Sequence, residues 1–140
     1  DLADAMRPLS ALGRDQARQL GERLRWHDCV PTHVWTSPLV RAVQTAELVA
    51  GALQWLDVID VVPALAHGGS PRAVATELAE LATTASVIVV GHEPGLSTLA
   101  ALLSGERDGL GLARGEAMRI TGGRTRWRFA WDAEAPVPAR

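Results

Sequence analysis

Two stretches of this 140-residue chain carry side chains that could do chemistry together. The first is residues 86–95, Ser-Val-Ile-Val-Val-Gly-His-Glu-Pro-Gly. Val87 to Val90 are four consecutive β-branched apolar residues with no polar face. That pattern predicts a strand buried on both sides, in a sheet covered by helices. The run stops at Gly91, presents the imidazole of His92, and gives way to a helical pattern at Pro94. Ligands of open α/β sheets bind beyond the carboxyl ends of the strands, so His92 is the first candidate. The second stretch is residues 36–47, Thr-Ser-Pro-Leu-Val-Arg-Ala-Val-Gln-Thr-Ala-Glu. It too is a strand end followed by a helix start, with Ser37 expected as N-cap and Pro38 at the first helical position. Arg41 then lies about one turn into the helix, near the positive end of its dipole. A guanidinium there suits an anion, phosphate above all. Each residue alone has a plainer role, His92 as a cap or core histidine and Arg41 as the partner of an acid such as Glu47. Together they describe one pocket, with a guanidinium for phosphoryl oxygens and an imidazole to support charge or pass a proton.

The elements that must position these residues follow from patterning. Residues 1–9 read as irregular. Ser10 is a good N-cap, and Gly13, Ala17, Leu20 and Leu24 form one face of a first helix, with Arg14, Arg18, Glu22 and Arg25 on the others. His33 to Thr36 is a short strand. Leu39, Val43, Ala46, Ala50 and Leu53 mark a second helix, and residues 58–62 a strand closed by Pro63. Ala66-His67-Gly68-Gly69 is a loop, with His67 expected at a solvent-exposed rim. Ser70-Pro71 repeats the helix-start signal, and Val74, Leu78 and Leu81 give a third helical stripe. A fourth helix carries Leu96, Leu99, Leu102 and Leu103, and residues 105–115 read as a mobile loop. Residues 117–121 and 125–131 are two strands joined by Gly122-Gly123, and the tail from Asp132 is expected to fray. Strands alternating with helices predict an α/β fold, a three-layer α/β/α sandwich with a mostly parallel central sheet. The length fits a single domain over residues 1–140.

Composition excludes several functions. Nearly half the residues are apolar and about a fifth charged, with a net charge of −2, which gives no basis for bulk binding to nucleic acid or membrane. No apolar run is long enough to span a bilayer and no signal peptide is evident. The one cysteine, Cys29, forbids an internal disulfide and reads as an apolar filler rather than a nucleophile. A cytoplasmic protein, monomeric, is the expectation.

The sequence resembles the histidine phosphatase superfamily, the phosphoglycerate mutase-like fold. Ser-Pro-Leu-Val-Arg-Ala-Val-Gln-Thr-Ala at 37–46 and Gly-His-Glu-Pro-Gly at 91–95 carry the resemblance. Arg-Pro-Leu-Ser-Ala-Leu-Gly at 7–13, followed by Gln16-Ala17, is similar to the small SixA-type phosphohistidine phosphatases, as is the short connection between Val58 and Pro71. The resemblance implies phosphoryl transfer in two steps, with a histidine of an Arg-His-Gly motif attacking phosphorus and water hydrolysing the resulting phosphohistidine. It implies Arg41 and His92 as catalytic and phosphate-binding groups, Arg7 as a further substrate-binding group at the pocket mouth or else the partner in a salt bridge that fixes the entry loop, and no metal or other cofactor. The chemistry is consistent, because phosphoryl transfer needs positioning and charge neutralisation above all.

Two departures qualify the resemblance. None of the four histidines, His27, His33, His67 and His92, stands in an Arg-His-Gly motif. The expectation is that the first strand, which would carry that motif, is missing from these 140 residues. Larger relatives also place a glutamate near Pro63-Ala64-Leu65, where Ala64 offers no carboxylate. Glu93 and Glu47 are poor substitutes, Glu93 because it is placed to cap the next helix. A phosphohistidine substrate needs less acid assistance than an alkyl phosphate, because its leaving imidazole departs protonated. The expected function is a metal-independent phosphatase acting on a phosphorylated protein, through its phosphohistidine, or on a small phosphorylated substrate. The alternatives are a non-catalytic phosphate-binding or regulatory domain, and an interaction scaffold on the same fold.

Overall fold

The computed structural model describes residues 6–105, 111–113, 115–133 and 137–138. Helix α1 is Ala11–Trp26, capped by Ser10, whose hydroxyl accepts from the Gly13 N–H at 3.0 Å. Its buried face is Ala17, Leu20, Gly21 and Leu24. Strand β1 is His33–Thr36, α2 is Val40–Ala52, and β2 is Asp60–Val61. A short 3-10 turn, Pro63–Leu65, precedes α3 at Pro71–Ala79. Strand β3 is Val87–Val90 and α4 is Gly95–Ser104. Strands β4, Glu116–Thr121, and β5, Arg124–Ala130, form an antiparallel hairpin, and Val137–Pro138 is β6.

Three strands form a parallel sheet in the order β2-β1-β3. Val34, Trp35 and Thr36 of the central β1 are buried. On one face α1 and α2 pack with the hairpin, in a cluster of Ala17, Leu20, Leu24, Val49 and Phe129 on which Ile88 rests. On the other, α3 and α4 cover Trp35, Val62, Leu65, Val74 and Leu99, with Val87 and Val89 against them. This is the expected α/β sandwich. Phe129 is wholly buried, a contribution of roughly 1.5–3 kcal/mol. The hairpin turns on Gly122 and Gly123, with φ of 60° and 73°, as a two-residue turn of that hand requires.

Four expectations need correction. Strand β3 is half-buried along its whole length, not buried on both sides. It lies at the edge of the sheet among the described residues, and β1 is the enclosed strand. The second helix does not begin at Ser37-Pro38. Its N-cap is Leu39, still extended at φ −65° and ψ 140°, with no side-chain cap bond. The Ser37 N–H is instead tied to the end of β3, donating to the Val90 carbonyl at 2.9 Å. Residues 58–62 pair only over Asp60–Val61, both exposed on the sheet's other edge. The tail does not simply fray, since Val137 and Pro138 pair with Arg128 and Trp127. Proline is tolerated there because an edge strand needs no donor on its outer side. The loop expected over 105–115 falls partly outside the described residues.

Helices α1 and α2 meet at Gly21. A Cβ on Gly21 would lie 2.7 Å from Ala52 Cβ and 2.9 Å from the Val49 carbonyl oxygen. The Gly21→Ala variant is expected to lose about 1–3 kcal/mol of stability through overpacking, read as a lower urea midpoint. An unchanged midpoint would mean that the two helices separate without cost.

Candidate functional site

The parallel pairing sets the ends of β1 and β3 side by side, Thr36 opposite Val90. The chain leaves β1 through Ser37 and enters α2, where Arg41 is the second helical residue. Because the helix starts later than expected, Arg41 stands closer to its positive end than one full turn. The chain leaves β3 through Gly91 and His92. The His92 carbonyl accepts from the Leu96 N–H at 2.9 Å, which fixes the turn into α4.

Ser37 is completely buried. Its hydroxyl lies 2.7 Å from His92 Nε2 and accepts from the Leu39 N–H at 3.3 Å. Ser37 therefore ties the imidazole to the β1–α2 corner, a role in place of the expected N-cap. Nothing in the sequence distinguished it from any Ser-Pro helix start, since the bond joins residues 55 positions apart.

Arg41 reaches the site from α2, and its Nη2 lies 3.1 Å from His67 Nε2. The His67 ring in turn stacks on that of His92, with centroids 4.2 Å apart and planes inclined by 26°. Arg41 and His92 are thus brought together as expected, with His67 between them. His67 is exposed, as a loop histidine should be, yet it belongs to the cluster rather than to a bare rim. Its loop is held tightly. Leu65 is buried, the Gly69 N–H donates to the Ala66 carbonyl at 2.8 Å, and a Cβ on Gly69 would lie 2.3 Å from the Ala64 oxygen.

A cleft of about 270 Å³ opens beside the two rings, lined by Ala64, His67, Gly69, His92, Glu93 and Leu99 among others. Ala64 does face this cleft and supplies no carboxylate. Glu93 is turned to the helix, accepting from the Ser97 N–H at 3.1 Å and from the Ser97 hydroxyl, as its capping role predicted. Glu47 is exposed on α2. Arg7 is exposed, two residues before Leu9, whose N–H donates to Gln44 Oε1 at 2.7 Å. Gln44 is three residues beyond Arg41, so the entry segment is pinned to the same helix.

The other candidates lie elsewhere. His33 begins β1, at the opposite end of the strand from Ser37. His27 follows α1 and meets the Phe129 ring edge-on at 5.2 Å. A larger hollow, about 530 Å³, opens between the ends of α1 and α2, lined by Cys29, Leu53 and Trp55 among others. It holds none of the residues expected to act. Burial pushes the Cys29 thiol up, against a smaller opposing effect of the Arg119 charge. A raised thiol is a poor nucleophile, in keeping with its packing on the α1–α2 cluster.

The chain is similar to several known proteins. The family model described as histidine phosphatase superfamily, branch 1, matches residues 6–66. Phosphohistidine phosphatase SixA of Escherichia coli (strain K12) is 33% identical over 103 residues, covering 72% of this chain and 64% of the relative. The chain thus spans less than two thirds of that relative's length. A solved structure of the protein histidine phosphatase SixA complexed with tungstate superposes with a TM-score of 0.83 at 27% identity, over 91% of this chain and 86% of the other. A putative SixA from Nakamurella multipartitia shares the fold, with a TM-score of 0.71 at 23% identity over 98% and 84% of the two chains. The chain is thus similar to the histidine phosphatase superfamily in sequence and in fold. Within it, the similarity is to the SixA-type branch.

Replacing Ser37 by alanine leaves the Leu39 N–H and His92 Nε2 without this partner. The variant is expected to lose about 0.5–1.5 kcal/mol, the net worth of a typical hydrogen bond, measured by urea denaturation. No change in stability would show that His92 is held by other contacts.

Proposed function

We propose that this chain is the phosphate-holding domain of a metal-independent phosphatase. It would act through a phosphohistidine intermediate on protein phosphohistidine or on small phosphoesters. The observation that carries this is the convergence of Arg41, His67 and His92 beyond the carboxyl ends of β1 and β3. The SixA relatives support the choice of substrate class, and the structure of one with tungstate, a phosphate-like oxyanion, supports the choice of ligand. We further propose one domain over residues 1–140, acting as a monomer in the cytoplasm, where a chain with one cysteine meets no demand for disulfides.

The chemistry follows from charge. In phosphoryl transfer, negative charge is spread over three equatorial oxygens. Arg41 can donate two parallel hydrogen bonds to two of them, and His92, oriented by Ser37, can donate to a third. Arg7 would approach from the entry segment. Fixed donors of this kind act without reorganising as the charge develops. The attacking imidazole of the family's Arg-His-Gly motif is not among the four histidines of this sequence. The residues here therefore supply the half of the site that holds and neutralises the phosphoryl group. The second reading is phosphate binding without turnover.

Hydrolysis of a chromogenic phosphate by the protein separates the two. A phosphatase is expected to turn over, with kcat/KM falling about 100-fold or more in Arg41→Ala and in His92→Ala. Full activity in both variants contradicts the assignment of the pocket. Stabilisation by tungstate against heat with no turnover supports the binding domain instead.

A further inference from the structure

We infer that His67 is a third ligand of the oxyanion and takes up a proton as the anion enters, so that binding at this site is proton-linked. This rests on the oxyanion role proposed above for Arg41 and His92.

A guanidinium has N–H donors and no acceptor. The 3.1 Å contact between Arg41 Nη2 and His67 Nε2 is therefore a hydrogen bond only if Nε2 carries a lone pair. For that contact to be a hydrogen bond, His67 Nε2 must be the acceptor, with the ring N–H on Nδ1. Protonating Nε2 there would set an imidazolium against a guanidinium and over a second imidazole, 4.2 Å away.

An oxyanion reverses this balance. It accepts from Arg41 through charge-assisted bonds, which are stronger than a bond to neutral imidazole, and so takes over the guanidinium. His67 Nε2 then faces anion oxygens, where a lone pair repels and an N–H donates. Stacking on the His92 ring, with centroids 4.2 Å apart, keeps the His67 ring beside the site. The ring is exposed, and one proton passes from solvent to Nε2. No covalent bond other than that N–H is made.

The groups facing His67 are Arg41 from α2, and His92 and Glu93 from the turn into α4. Helix α3 contributes Pro71 and Val74 to the cleft wall, neither of which titrates. Glu93 is engaged with Ser97. Among these groups, His67 is the one whose contact with Arg41 the anion replaces.

The test is calorimetric titration of sulfate, a dianion throughout, into the chain between about pH 5.5 and 8.5. Buffers of different ionisation heat report the protons exchanged. The expected result is an uptake approaching one proton per sulfate toward the alkaline end. There the affinity should fall by about tenfold per pH unit. In His67→Gln, and independently in His67→Asn, both the uptake and the slope should be largely lost. Unchanged uptake and slope in these variants would assign the proton to His92 or Glu93 and overturn the inference. Sulfate binding to the unsubstituted chain without proton uptake overturns it alone. No sulfate binding at all overturns it together with the oxyanion role on which it rests.

Discussion

The parallel pairing of His33–Thr36 with Val87–Val90 is the constraint on which the site depends. It aligns two strand ends so that the corner after β1 and the turn after β3 share one edge of the sheet. The Ser37 N–H donates to the Val90 carbonyl, and the Ser37 hydroxyl then reaches His92. One buried serine thus couples backbone register to the orientation of an imidazole. A shift of the strands by one residue would turn alternate side chains to the other face. It would also part Ser37 from its partner.

The rest of the fold supports that register. Helices α1 and α2 and the hairpin bury Ile88 from one side, while α3 and α4 bury Val87 and Val89 from the other. Close packing at Gly21 sets how near α1 comes to α2, the helix that carries Arg41. Close packing at Gly69 does the same for the loop that carries His67. The positions of two of the three clustered side chains therefore trace to glycines at which a Cβ would strike backbone or a packed neighbour.

Much of this was legible in the sequence because it is written in local patterns. The stripe of Ala17, Leu20 and Leu24, the caps at Ser10 and Ser70 and the Gly122-Gly123 turn are short-range signals, and each appears in the structure. Arg41 and His92 could be named because each follows a strand end. What was not legible depends on partners distant in sequence. The run Val87–Val90 looks the same whether its strand is central or at an edge, and its neighbours decide its burial. Ser37 reads as a cap until the imidazole 55 residues away is brought to it. His67 reads as an ordinary loop histidine until Arg41 and His92 flank it. The short β6 is specified by the edge that β5 offers rather than by Val137 and Pro138 themselves.

The central claim is that Arg41, His67 and His92 form one oxyanion site at the sheet's carboxyl edge. A crystal structure of the chain with bound tungstate tests it most directly. The account predicts the ion beside the cleft, with its oxygens within about 3 Å of the Arg41 guanidinium, His92 and His67 Nε2, and the Arg41–His67 contact replaced. Tungstate bound elsewhere, with Arg41 still on His67, would contradict it.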